Sequence, residues 1–141
     1  MVGVTVLIHL TGLGVLIAAM RFHAERLMTG KVAINQLVVI VGVAYGLFVL
    51  HTVEIWSYAM VYTALHAAPD FEGALYFSTV TYTTIGDVNS ALTHPWRILG
   101  AIEGANGIIL LGWSTAFFVS VVARMRTVEH DWLRGGQGED R

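Results

Sequence analysis

Between two apolar segments long enough to cross a bilayer, this chain carries a third that is too short. It is Leu75-Tyr76-Phe77-Ser78-Thr79-Val80-Thr81-Tyr82-Thr83-Thr84-Ile85-Gly86-Asp87-Val88, an apolar run ending in paired threonines, a glycine and an acid. About ten helical residues reach only ~15 Å, half of a hydrocarbon core. Such a piece enters a membrane from one side without crossing it. Backbone leaving a half-helix at that depth has to be buried in protein or line a water-filled path. The stretch has the form of a re-entrant pore loop.

Composition points the same way. Of 141 residues, 55% are hydrophobic and only 13% charged, against about 25% charged in an average soluble domain. The net charge of -2 argues nothing about nucleic acid, there is no basic patch to read, and no nucleic-acid partner is expected. The absence of cysteine excludes a disulfide framework, a thiolate metal site and a cysteine nucleophile. No Gly-rich phosphate loop and no nucleophile–base pair at recognisable spacing occurs, so no enzyme and no small-molecule substrate is expected. The start, Met1-Val2-Gly3-Val4, lacks the basic leader of a signal peptide, and Val4 to Met20 is expected as a retained membrane helix.

Three spans follow from the apolar segments. The first is Val4 to Met20, with a polar connection carrying Arg21, Arg26 and Lys31. The second runs from Val32 to Ala64, longer than a bilayer needs. Its outer third holds His51, Glu54, Trp56, Tyr58 and Tyr62, and the aromatics are expected near the headgroups. Pro69-Asp70 marks a turn, and Glu72 suits the start of the short helix. The third covers Trp96 to Ala123, with Pro95 fitting a helix start, and the Gly-rich tail from Gly135 reads as disordered. Seven of the eight basic residues fall in the first connection or the tail. The basic-side rule then puts the amino terminus and the short loop outside, and the carboxyl terminus in the cytoplasm. The expectation is an all-α membrane protein of the plasma membrane, in contact with lipid: an extra N-terminal transmembrane helix with its cytoplasmic connection (1–31), a pore domain (32–126) of outer helix, re-entrant pore helix, filter loop and inner helix, and a short cytoplasmic tail (127–141).

The central stretch carries the chemistry. A cation crossing a membrane needs oxygens in place of its hydration shell, and rings of backbone carbonyls supply them. Thr83, Thr84, Ile85, Gly86, Asp87 and Val88 offer hydroxyls, successive carbonyls, a flexible glycine and a carboxylate. One chain holds one copy, so a central pore requires several chains around an axis. A plain Thr-rich turn between hydrophobic helices is the competing reading.

The run Ala74 to Ser78 through Thr83 to Asp87, with its flanking spans, resembles the pore module of the tetrameric potassium-channel superfamily. It looks closest to bacterial two-helix channels without a voltage sensor. The segment Trp96-Arg97-Ile98-Leu99-Gly100, then Glu103, Asn106-Gly107 and Gly112-Trp113-Ser114-Thr115-Ala116, is similar to a bacterial branch of that family, and His51 with Glu54-Ile55-Trp56 adds to the match. The resemblance spans about residues 35–125 and implies a homotetramer. It departs at the filter. Potassium-selective members read Thr-Val-Gly-Tyr-Gly-Asp, whereas an ungapped alignment here gives Thr84-Ile85-Gly86-Asp87-Val88-Asn89. A gapped alignment instead deletes Tyr-Gly and matches Asp87 to the final acid. Valine is a poor residue for the positive φ that glycine adopts there. A shortened filter is expected: lower ion sites at Thr84 and Ile85, and a ring of Asp87 carboxylates at the mouth passing Na⁺ and K⁺ with little preference, with Ca²⁺ or Mg²⁺ suited to the hard oxygens. The alternative for Asp87 is a local cap on backbone N–H groups.

Ionisable residues in the spans are functional candidates. By helix rise, Glu54 and Glu103 fall at similar depths, with His51 and Asn106 one turn below them. Glu103 either faces the cavity as an ion-attracting ring, or braces the filter through Thr or Tyr hydroxyls, or shares a proton or metal with His51 and Glu54. Bracing is favoured, because a filter needs a rigid support. Gly104 and Gly107 are candidates for a gating hinge or for close helix packing, Gly107 lying near the superfamily's hinge glycine. Phe117, Phe118 and Val121 are candidates for an inner gate that closes by dewetting. His66 and His94 read as ordinary residues of the outer loops. No cofactor is expected beyond permeant cations. The rival functions are a non-conducting or regulatory homologue with a collapsed filter, and a membrane metal-site protein using His51, Glu54 and Glu103.

Overall fold

The computed structural model describes residues 1–26, 32–86 and 92–135. The described residues form four α-helices and one 3₁₀ turn: α1 Val2–Arg26, α2 Val32–Ala64, α3 Phe71–Tyr82, the 3₁₀ turn His94–Trp96, and α4 Arg97–Gly135. Three of them are long and apolar enough to cross a membrane, over Val2–His23, Ile34–Ala64 and Arg97–Met125. The fourth, α3, has 12 residues and rises only ~18 Å. The all-helical architecture with one half-span helix is as the sequence leads one to expect.

Two helices outrun their apolar segments. The sequence places a polar connection after Met20, yet α1 continues to Arg26. Likewise α4 passes Ala123 and Arg124 to end at Gly135. Leaving the bilayer ends a hydrophobic run but does not end a helix. From Arg124 to Arg134 there is neither Gly nor Pro to stop it. The connection through Lys31, the filter exit at Asp87 and Val88, and the tail beyond Gly135 lie outside the described residues.

Helix ends fix where the short helix begins. Ala64 is followed by His66 at φ 51°, where the Ala67 N–H reaches back to the Tyr62 carbonyl at 2.9 Å. That six-residue return with a left-handed residue is a Schellman cap, so His66 has a local backbone role. Asp70 then caps α3, its Oδ1 accepting from the Gly73 N–H at 2.7 Å, a bond contributing about 1 kcal/mol. Glu72 in the first turn adds to the favourable charge at that end. Further along, the Thr93 N–H donates to the Ala67 carbonyl at 3.1 Å, tying the segment after the loop to the turn before it.

Packing places α3 between α2 and α4, with α1 against α2 and α4. On α4, Gly100, Glu103, Gly107, Leu110, Ser114 and Val121 follow a three-and-four spacing, which keeps them on one face. All six are buried, with Glu103 and Leu110 at 0% exposure. On α2 the matching face holds Val43, Leu47, Leu50, Glu54, Tyr58 and Tyr62. Tyr58 and Tyr62 are therefore interior residues rather than members of a lipid-headgroup belt. Their ring hydroxyls have partners inside the protein, which outweighs the interfacial preference of tyrosine. Trp56 stays half exposed and meets Phe71 edge-on.

Candidate functional site

The loop expected to line a pore begins where α3 stops. Thr83 is the C-cap, and its hydroxyl donates back to the Thr79 carbonyl at 2.7 Å. The Thr84 N–H bonds to the Thr81 carbonyl at 3.1 Å, and the Gly86 N–H to the Val80 carbonyl at 2.9 Å. Thr84 has φ 62° and Gly86 φ 68°. Glycine adopts that conformation without cost, whereas a β-branched threonine there carries strain of about 1–3 kcal/mol. Left-handed residues thus flank Ile85, whose side chain is 75% exposed. Thr84, Ile85 and Gly86 all lie on the protomer surface. Asp87 and Val88 lie outside the described residues.

Behind the loop, two acids hold α3 in place. Glu103 is completely buried. Its Oε2 accepts from Tyr62 Oη at 2.5 Å, and its Oε1 meets the hydroxyl of Ser78 on α3. That same hydroxyl lies 2.9 Å from the Ile55 carbonyl. One hydroxyl hydrogen cannot fully serve two acceptors. The Ser78 hydroxyl is thus shared between the Glu103 carboxylate and the Ile55 carbonyl, while Tyr62 donates to the other carboxylate oxygen. Glu103 is bonded in this way to α3 and to α2.

One turn further along α3, Tyr82 donates to Oε2 of Glu54, which is also completely buried. His51 Nδ1 lies 3.0 Å from the same oxygen and 2.9 Å from Tyr82 Oη. His9 on α1 reaches the other oxygen, its Nδ1 being 2.9 Å from Oε1. Glu54 therefore sits between two imidazoles and a phenol. The two acids serve separate networks. Glu54 gathers His9, His51 and Tyr82, while Glu103 bonds to Ser78 and Tyr62.

Asn106 ties the inner helix to the rest. Its amide donates to Thr5 Oγ1 at 2.8 Å and approaches Tyr58 Oη at 3.4 Å. The two candidate hinge glycines differ. A Cβ at Gly107 would overlap the Tyr82 carbonyl oxygen and stand 3.1 Å from its Cα. At Gly104 it would make only ordinary contacts with Thr81, at 3.5 Å and 3.6 Å. Among the gate candidates, Val121 is 6% exposed and packs with Val43 and Leu47, while Phe117 and Phe118 border the same cluster. That cluster also receives Leu13, Leu16 and Met20 of α1. The Val121 side chain is turned into the protomer.

Sequence reasoning did not single out Tyr62, Ser78, Tyr82, Thr5 or His9 as partners. The available signal was a set of polar residues at three-and-four spacing on the faces that also hold Glu54 and Glu103. His9, Thr5 and Asn106 were harder to connect, because their contacts span up to 101 positions and depend on how α1 docks.

No curated protein and no solved structure gave a match to the chain. A family model described as an ion channel matches residues 37–124, which covers α2 from Leu37, α3, the loop and α4 as far as Arg124. α1 lies outside the matched region. The chain is a multi-pass membrane protein of the two-helix, potassium-channel-like ion channel family.

Proposed function

We propose that the chain forms a homotetrameric cation channel of the plasma membrane, with its amino terminus and pore loops outside and its carboxyl terminus in the cytoplasm. Four copies of α3 point their carboxyl ends at a common axis. The observation that carries the reading is the half-span helix α3, which ends in an exposed Thr84-Ile85-Gly86 and is fastened from behind by Glu103. Left-handed residues on either side of Ile85 break the regular alternation of carbonyls in a strand, and this supports a carbonyl-lined path at Thr83 to Gly86. Helix α3 adds partial negative charge at its carboxyl end, favouring a cation beneath the loop.

The filter is short. Asp87 replaces the tyrosine of potassium-selective relatives and supplies a ring of four carboxylates, with Val88 beyond it. Such a ring attracts cations but does little to separate potassium from sodium. We assign conduction of Na⁺ and K⁺ with weak preference, and binding of Ca²⁺ or Mg²⁺ at the mouth. Glu54, Glu103 and Asn106 serve as supports of the filter. Gly107 is assigned to packing against Tyr82, leaving Gly104 as the hinge candidate. The inner narrowing is assigned to the turn of Phe117 and Phe118. Lipid is the remaining partner, and no catalysis is assigned. Replacing Asp87 with asparagine should lower cation flux into liposomes several-fold and weaken block by divalent ions. Unchanged flux and block would remove the carboxylate ring from the mechanism.

A further inference from the structure

We propose that His9, His51 and Glu54 form a binding site for a divalent transition-metal ion, with Zn²⁺ as its natural probe. The site joins α1, which lies outside the family match, to the end of the pore helix. It is separate from the permeation path, and metal content reads it whether or not the channel conducts.

Three donors converge from two helices. His9 Nδ1 is 2.9 Å from one oxygen of Glu54, and His51 Nδ1 is 3.0 Å from the other. One ligand atom from each residue falls within 4.8 Å of the others. In a tetrahedral zinc site with bonds near ~2.1 Å, ligand atoms stand about 3.3 Å apart. Each imidazole–carboxylate separation is within a few tenths of an ångström of that spacing, and the set as a whole, within 4.8 Å, closes further around an ion. Tyr82 Oη, 2.9 Å from His51 Nδ1, stands where a fourth oxygen ligand or a water-bonding partner belongs. Two imidazoles with a carboxylate select zinc, copper or nickel over magnesium and calcium, which prefer oxygen alone.

The surroundings fit such an ion. Glu54 and His9 are both at 0% exposure, and the groups bonded to the carboxylate are two imidazoles and a phenol, none with a fixed positive charge. An ionised carboxylate at that depth is expensive unless a cation accompanies it, and a divalent ion supplies one. When Nδ1 of His9 binds metal, its ring proton shifts to Nε2. That atom already faces Ser114 Oγ at 3.5 Å, the kind of outer partner that fixes a metal-bound imidazole. His51 Nε2 is buried without a partner, so that nitrogen is free to carry the ring proton when metal at Nδ1 takes the place of its carboxylate and phenol contacts. Trp113 lies over His9, with ring centroids 6.2 Å apart, and helps exclude water.

The test uses full-length protein purified in detergent, stripped with chelator and titrated with Zn²⁺. Wild type should take up one ion per chain. His9→Ala and His51→Ala should weaken uptake by more than about 100-fold, exceeding the loss typical of an outer partner, while His23→Ala binds as wild type. Uptake no greater than that of a detergent blank, or equal in wild type and both variants, overturns the site. Loading wild type with Co²⁺ covers the case in which the variants fail to fold. Tetrahedral visible absorption that Zn²⁺ displaces supports the assignment, and a spectrum of solvated Co²⁺ alone refutes it.

Discussion

Replacing Gly107 with alanine is expected to do more damage than any other single-methyl change in the chain. The new Cβ would overlap the backbone carbonyl of Tyr82 and press on its Cα at 3.1 Å. A flexible side chain could swing away, but here the obstacle is main chain at the end of α3. Either α4 shifts outward or the pore helix is displaced. Overpacking of this kind costs about 1–3 kcal/mol, and rigid backbone puts the case at or above the upper end. The displacement falls on Tyr82, directly before Thr83 and Thr84, so ion flux should be lost as well as stability. Gly104→Ala is the control. Its Cβ has room, at 3.5 Å from Thr81, and alanine improves helix propensity by about 1 kcal/mol. Thermal stability in detergent compares the two variants, and liposome flux reads the Gly107 variant. Equal, mild effects at the two positions would show that Gly107 is not a point of close packing.

The second large effect concerns Glu103, where the choice of substitute matters more than the position. Glu103→Ala removes the carboxylate that the Tyr62 and Ser78 hydroxyls share, leaving Ser78 its bond to the Ile55 carbonyl but Tyr62 without its acceptor, and opens a void between three helices. Unpaired buried polar groups cost about 1–3 kcal/mol each, and a cavity adds to this. Loss of on the order of 3 kcal/mol and of conduction is expected. Glu103→Gln should behave differently. Its amide oxygen can accept from Tyr62 while its amide nitrogen donates to the Ser78 oxygen, leaving the Ser78 hydrogen to the Ile55 carbonyl. Stability within about 1 kcal/mol of wild type and unchanged cation block are expected. A glutamine variant as damaged as alanine, or one with altered block but an intact fold, would mean that Glu103 acts through its charge.

The fold was open to reading in the sequence because a bilayer imposes lengths. Three long apolar segments and one half-length segment admit few arrangements, and the basic residues order them. The helix ends were less legible, as Arg26 and Gly135 show, because hydrophobicity marks the membrane and not the helix. The acids Glu54 and Glu103 stood out because charge inside a span is rare. Their partners did not. Ser78 and Tyr62 read as ordinary members of an apolar face until α3 and α4 are packed together. His9 belongs to a helix outside the pore module, and nothing in a linear pattern pairs it with residue 54. Tyr58 and Tyr62 illustrate the reverse error, since an interfacial tyrosine and a buried hydrogen-bonding tyrosine have the same local sequence signature.

The central claim is a pore with weak preference between sodium and potassium. Planar-bilayer recording of the purified protein, with potassium on one side and sodium on the other, tests it most directly. A tetrameric pore with Asp87 at its mouth predicts measurable current and a reversal potential close to zero. A reversal potential approaching the limit for potassium alone, or a bilayer that stays silent at protein levels confirmed by flotation, would contradict it.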